Sequence, residues 1–286
     1  MSDMSELSPS IAEKRDRLLD TLRGYESCAV AFSAGVDSTV VAKAAQLALG
    51  DRAVAVTGVS ASLAEGELES AVELSALIGI RHETLATDEL ADEQYTRNAA
   101  DRCYHCKTQL YDQMAPLAER FDARVIVNGA NIDDIGDYRP GMIAAGEHRV
   151  RSPLIECDIN KAEVRQLAAH WELPVADKPA TPCLSSRIAY GEEVTPERLQ
   201  MIDSAEQFLR ARGLPEVRVR FHRGEMARIE VPTVALEKLC DPTFREALVE
   251  ELKSLGFTYV TLDLEGFRSG SQNEVLAIRS LASRER

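Results

Sequence analysis

Two cysteines at the C-x-x-C spacing, Cys103 and Cys106 of CYHCK, and a third far along the chain, Cys183, are the side chains best able to do chemistry. That spacing serves disulfide exchange, zinc binding and iron–sulfur ligation alike. Cys183 lies in KPATPCLSSRIAYG (178–191). Pro182 fixes the backbone ahead of it, and Ser185, Ser186 and Arg187 behind it are donors able to hold a phosphate or depress the pKa of the thiol. Cys28 sits inside an apolar run, while Cys157 and Cys240 have no paired spacing; these three read as core or incidental.

A second constellation is SAGVDST (33–39), which joins an apolar run to a helical pattern. Backbone amides from Ser33, Ala34, Gly35 and Val36, the hydroxyls of Ser38 and Thr39, and the positive end of the helix converge there on one point, with Asp37 beside them. Such a point is an anion site; the plainer alternative is a serine-rich turn capping a helix. Neither the lysine of G-x-x-x-x-G-K-[ST] nor the glycine set of G-x-G-x-x-G is present. In NIDDIGDYRPG (131–141), Asp133, Asp134, Asp137 and Arg139 follow a buried strand, at the end of a sheet where ligands bind. In VRVRFHRG the alternation sends Arg218 and Arg220 to one face of a strand, where two guanidiniums repel unless they share an anion or carboxylates. Glu206 and Glu230 are acids near this segment able to assist proton transfer, and the sequence does not choose between them.

The elements that must carry these groups follow from periodicity. Apolar runs of strand length at 28–33, 53–59 and 124–130, with a shorter one at 82–87, alternate with helical patterns at 11–23, 37–49, 65–79 and 104–120. Residues 150–155 read as an edge strand, and N-K-A-E from Asn160 has the capping-box form that opens a helix. Strands alternating with helices imply a doubly wound parallel sheet, an α/β domain. The stretch 173–193 breaks the rhythm with three prolines, and long irregular connections of this kind are usually functional. Beyond it, Thr195-Pro196-Glu197 starts a helix, and strands at 216–222, 227–231 and 259–264 surround a helix at 243–255. The expected organisation is an α/β domain over 1–190 and a smaller α+β domain over 191–286.

Net charge narrows the partners. At −14 over 286 residues, with no segregated basic block, nucleic acid is a disfavoured partner. The N-terminus shows neither a basic nor an apolar leader segment, and no stretch approaches the roughly 18 apolar residues of a membrane span, so a cytoplasmic protein is expected, with its cysteines reduced.

SAGVDST resembles the PP-loop of the ATP pyrophosphatases, which cleave ATP between the α- and β-phosphates; Ala34 stands where that loop has glycine, a replacement that fits if φ there is negative. Taken in order, SAGVDST, CYHCK, NIDDIGDYRPG, KPATPCLSSRIAYG and VRVRFHRGEMARIEV (217–231) resemble the LarE family of ATP-dependent sulfur transferases, over about residues 10–282. The resemblance implies a PP-loop fold and an enzyme of nickel-pincer cofactor biosynthesis. That enzyme uses ATP and Mg2+ to adenylate a carboxylate of pyridinium-3,5-biscarboxylic acid mononucleotide, releases pyrophosphate, and inserts sulfur. It further implies ATP on residues 33–39 with Arg139, substrate phosphate on Ser186, Arg187, Arg218 and Arg220, a homo-oligomer, and a possible sulfide donor protein. Family members draw the sulfur either from the cysteine at position 183, which becomes dehydroalanine, or from a [4Fe–4S] cluster on three cysteines, here Cys103, Cys106 and Cys183. Three thiolates without a fourth suit a cluster with one exchangeable iron better than a closed zinc site; His105, between the pair, is expected to face outward. A redox C-x-x-C, a tRNA thiolase and an amide-forming synthetase are the rival readings.

Overall fold

The computed structural model describes residues 7–135, 139–179 and 181–268. In chain order the elements are α1 (Pro9–Tyr25), β1 (Cys28–Ala31), α2 (Val36–Leu49), β2 (Ala53–Val59), α3 (Glu67–Ile78), β3 (Arg81–Ala86), α4 (Glu93–Thr96), α5 (Arg102–Arg120), β4 (Val125–Val127), α6 (Pro140–Glu147), α7 (Pro153–Glu156), α8 (Lys161–His170), α9 (Pro196–Ala211), β5 (Arg218–His222), β6 (Met226–Glu230), α10 (Leu236–Cys240), α11 (Pro242–Ser254) and β7 (Tyr259–Leu262). Two compact units divide the described residues: one holds 7–60, 65–89, 103–135, 139–179 and 181, the other 61–64, 90–102 and 182–268.

In the first unit four strands lie in the order β3-β2-β1-β4, and every pairing is parallel. β1 shows why helices must cover both faces. Cys28 and Val30 enter a core with Leu18 and Leu22 of α1, Val40 of α2, Leu74 of α3 and Leu167 of α8. Ala29, between them, faces the opposite core with Val54, Val56, Tyr111 and Met114 of α5 and Ala145 of α6. Successive strand residues point to opposite faces, so a strand apolar at every position is buried on both. This is the α/β class expected.

The expected edge strand at 150–155 is corrected. Only Arg151 bridges to Val127; Pro153, whose missing N–H costs nothing at a helix start, then opens the short helix α7. Asn160 forms its capping box as expected, its side chain accepting from the Glu163 amide while Glu163 accepts from the Asn160 amide.

The second unit builds a three-stranded sheet, β5-β6-β7, antiparallel at the first pairing and parallel at the second. Val219 and Phe221 of β5 are fully buried, as are Ile202 and Leu209 of α9 and Leu252 of α11. Thr195 caps α9 by accepting from the Arg198 amide. Among the described residues no helix is long and apolar enough to cross a membrane.

Candidate active site

The loop of residues 33–39 leaves the end of β1 and enters α2 with Gly35 as its N-cap. Its hydroxyls are ordered from within: Ser38 Oγ accepts from the Ser33 amide at 3.2 Å and donates to the Gly35 carbonyl at 3.0 Å, where Thr39 Oγ1 also donates at 2.9 Å. Ala34 has φ +55° and is fully buried. The negative φ that would suit an alanine is therefore not found; the chain takes the left-handed turn that favours glycine and bears the strain. A second close approach shapes the same place. A Cβ on Gly129, just past β4, would lie 2.7 Å from the Ser38 nitrogen, so only glycine fits where that loop passes the start of α2.

Asp37 is held from two sides, by Asn131 Nδ2 at 3.1 Å and by an ion pair with Lys161, the first residue of α8. Neither partner was singled out from the sequence. The capping box at 160–163 was the available signal, because it puts Lys161 on the first turn of a helix, but nothing local shows that this turn meets Asp37. Asn131 caps a turn over Ile132–Asp134, and Asp133 accepts from the Lys161 amide. Arg139, half-exposed, pairs with Asp134 at 2.6 Å. Asp137 lies outside the described residues.

Cys103 and Cys106 fall at the start of α5, three residues apart, and neither is in a disulfide; the first is exposed and the second half-buried. Residues at i and i+3 share a helix face. His105 is half-buried rather than outward-facing, its ring edge-on to Tyr104 at 5.3 Å. Cys28 and Cys157 are fully buried, and burial pushes the Cys28 thiol up to about 12, as an inert core cysteine should be.

In the second unit the exposed, free Cys183 precedes a short 3-10 turn, Leu184–Arg187. Arg187 is turned inward and fully buried. It donates to the carbonyls of Pro182 and of Cys183, the latter at 2.9 Å, and pairs with Glu206 at 3.0 Å. Glu206, itself fully buried, also accepts from Arg210 and from the Val219 amide. Arg220 meets the fully buried Glu230 at 2.7 Å and donates to the Ser186 carbonyl at 3.2 Å. Both acids thus serve as carboxylate partners for buried arginines, Glu206 for Arg187 and Glu230 for Arg220. Arg218 is also buried, and desolvation, reinforced by Arg187, pushes it down to about 10. Among the described residues no three His, Cys, Asp or Glu side chains stand ready grouped as a metal site; Cys103 and Cys106 belong to the first unit and Cys183 to the second.

No family model matches the chain. The pyridinium-3,5-bisthiocarboxylic acid mononucleotide synthase of Lactiplantibacillus plantarum is 36% identical over 275 residues, which is 96% of this chain and 99% of that protein. The chain belongs to the LarE family of sulfur transferases. An uncharacterized protein of Synechocystis sp. is 47% identical over 262 residues, 90% of this chain and 97% of its own length. The tRNA-specific 2-thiouridylase MnmA of Xanthobacter autotrophicus is 31% identical over 189 residues, 52% of this chain and 48% of that protein, in keeping with a PP-loop sulfur transferase fold. Within this LarE-family chain, the loop of residues 33–39 is glycine-like in conformation despite Ala34, and the cysteine loop of the second unit is fixed by buried ion pairs.

Proposed function

We propose that the chain converts a carboxylate of pyridinium-3,5-biscarboxylic acid mononucleotide to a thiocarboxylate at the expense of ATP. The observation that carries this reading is the whole-length similarity to a synthase of that bisthiocarboxylic acid.

Residues 33–39 and the start of α2 would receive the phosphates, with Arg139 and Lys161 adding positive charge near the loop. Asp37, a carboxylate beside that helix start, is the residue to hold Mg2+, which would neutralise charge on the phosphates. A substrate carboxylate oxygen attacks the α-phosphorus; the bond to the bridging oxygen breaks and pyrophosphate leaves, giving an acyl-adenylate. A sulfur nucleophile then attacks the carbonyl carbon and AMP departs. The substrate's phosphate is assigned to Ser186, Arg187, Arg218 and Arg220, hydroxyl and guanidinium donors of the kind that hold an anion.

Cys103, Cys106 and Cys183 would serve as three thiolate ligands of a [4Fe–4S] cluster. The donor set fits in kind, because all three are cysteines outside any disulfide and none is wholly buried. When bound, the cluster would carry the sulfide for transfer. The second reading rests on Cys183 alone, whose exposure leaves its sulfur open to attack the acyl-adenylate. The thioester so formed loses its Cα proton and splits at Cβ–S, leaving dehydroalanine and the thiocarboxylate.

Two measurements test the proposal. Pyrophosphate release must depend on the pyridinium substrate; release at the same rate without it overturns the activity. Anaerobic iron and labile sulfide decide the sulfur source: iron in the wild type that falls in Cys103→Ala supports the cluster, and equal or absent iron leaves the sacrificial route.

A further inference from the structure

The segment 90–102 does no work in the reaction as described, yet its side chains converge on the loop that carries Cys183. Asn98 is fully buried and has φ +54°, a conformation that asparagine tolerates better than most residues. Its amide nitrogen donates to the carbonyls of Ile188 at 3.2 Å, Ala189 at 2.9 Å and Glu192 at 2.9 Å. Its side-chain oxygen accepts from Arg102 Nη1, which also donates to the Ser185 carbonyl at 2.7 Å. Tyr95 Oη, nearly fully buried, meets Ser185 Oγ at 2.5 Å. Two backbone bonds add to this: Gly191 N to Asn98 O at 3.0 Å, and Val194 N to Thr96 O at 2.8 Å.

A loop with no periodic structure of its own must get its backbone partners elsewhere. Here three carbonyls turn to one amide, and a left-handed backbone at Asn98 aims that amide at them. The polar groups on both sides are buried, so leaving them unmatched costs far more than their net contribution when paired. A clamp of this kind holds one loop conformation, and with it the direction in which Cys183 projects.

We propose that Asn98, seconded by Tyr95 and Arg102, is a positioning residue for Cys183: it fixes residues 184–194 so that the thiol is presented to the acyl-adenylate. This rests on the sulfur-transfer reading above, under either source of sulfur. It is not a requirement of the adenylation step, which belongs to the residues of the nucleotide loop.

Asn98→Gly isolates the side chain, since glycine keeps the positive φ while removing the amide. The expected result is that the single-turnover pyrophosphate burst at saturating substrate stays within about threefold of wild type, while thiocarboxylate formation falls about tenfold or more. Hydrogen exchange of amides 184–194 should accelerate about tenfold in parallel. Equal loss of both half-reactions, unchanged sulfur transfer, or unchanged exchange each overturns the proposal. Should Asn98→Gly fail to fold, Tyr95→Phe is read the same way, with a loss of about two- to fivefold confined to sulfur transfer; no loss, or loss in both half-reactions, again overturns it. A wild type that makes no thiocarboxylate would sink the reaction assigned above, and the exchange measurement would still decide the clamp.

Discussion

Ala34 carries a strain that can be measured. An alanine in the left-handed region costs about 1–2 kcal/mol. Replacing it by glycine relieves that, loses a buried methyl of about 0.8 kcal/mol, and frees the unfolded chain by about 0.5–1 kcal/mol. The terms nearly offset, so Ala34→Gly should leave the unfolding free energy within about 0.5 kcal/mol of wild type in a urea titration. Were φ negative at this position, only the two losses would remain and the same change would cost about 1.5 kcal/mol. The loop itself was legible from its hydroxyls and its place between strand and helix. Its partners were not: Lys161 stands 124 residues from Asp37 and Asn131 stands 94 away, and no local pattern encodes a pairing across a parallel sheet.

At the level of the strands, alternation placed Arg218 and Arg220 on one face of β5 and left open whether that face was wet. Both arginines are buried: Arg220 lies against Glu230 of β6, while Glu206 of α9 pairs with Arg187 of the neighbouring loop. Glu230→Gln removes the charge that Arg220 and Arg228 both face, at 2.7 and 3.2 Å. Breaking a buried pair costs about 3–5 kcal/mol, and the urea midpoint should fall accordingly. His222, at the end of the same strand, accepts at Nε2 from Arg228 at 3.1 Å, and burial, then Arg228 and Arg220, hold its pKa below the usual 6.5. The folded ring therefore takes up its proton at a lower pH than in the unfolded chain, where it does so near pH 6.5. The unfolded state binds more protons below that pH, so this group's contribution to stability is lost on acidification. His222→Gln keeps an acceptor for Arg228 without titrating, and urea midpoints at about pH 7.5 and about pH 5.5 should differ less in the variant than in wild type. The capping box at Asn160 and the N-cap at Thr195 were readable because a cap is a local signal; the one-residue bridge at Arg151 was not, since a single bonded residue leaves no period to read.

Over the whole chain, the breadth of similarity separates the candidate reactions. The tRNA thiouridylase shares 52% of the chain, whereas the pyridinium synthase shares 96%, and a net charge of −14 sets the molecule against a polyanion. In the proposed reaction Cys183 is where the two sulfur routes would meet, as ligand in one and donor in the other. The most direct measurement is an anaerobic single turnover with ATP and pyridinium-3,5-biscarboxylic acid mononucleotide, following pyrophosphate and the mass of the product in wild type and Cys183→Ala. The account requires a pyrophosphate burst in both proteins, and a product in which sulfur has replaced a carboxylate oxygen in wild type alone. Sulfur-containing product from Cys183→Ala at the wild-type rate, or none from wild type, would contradict it.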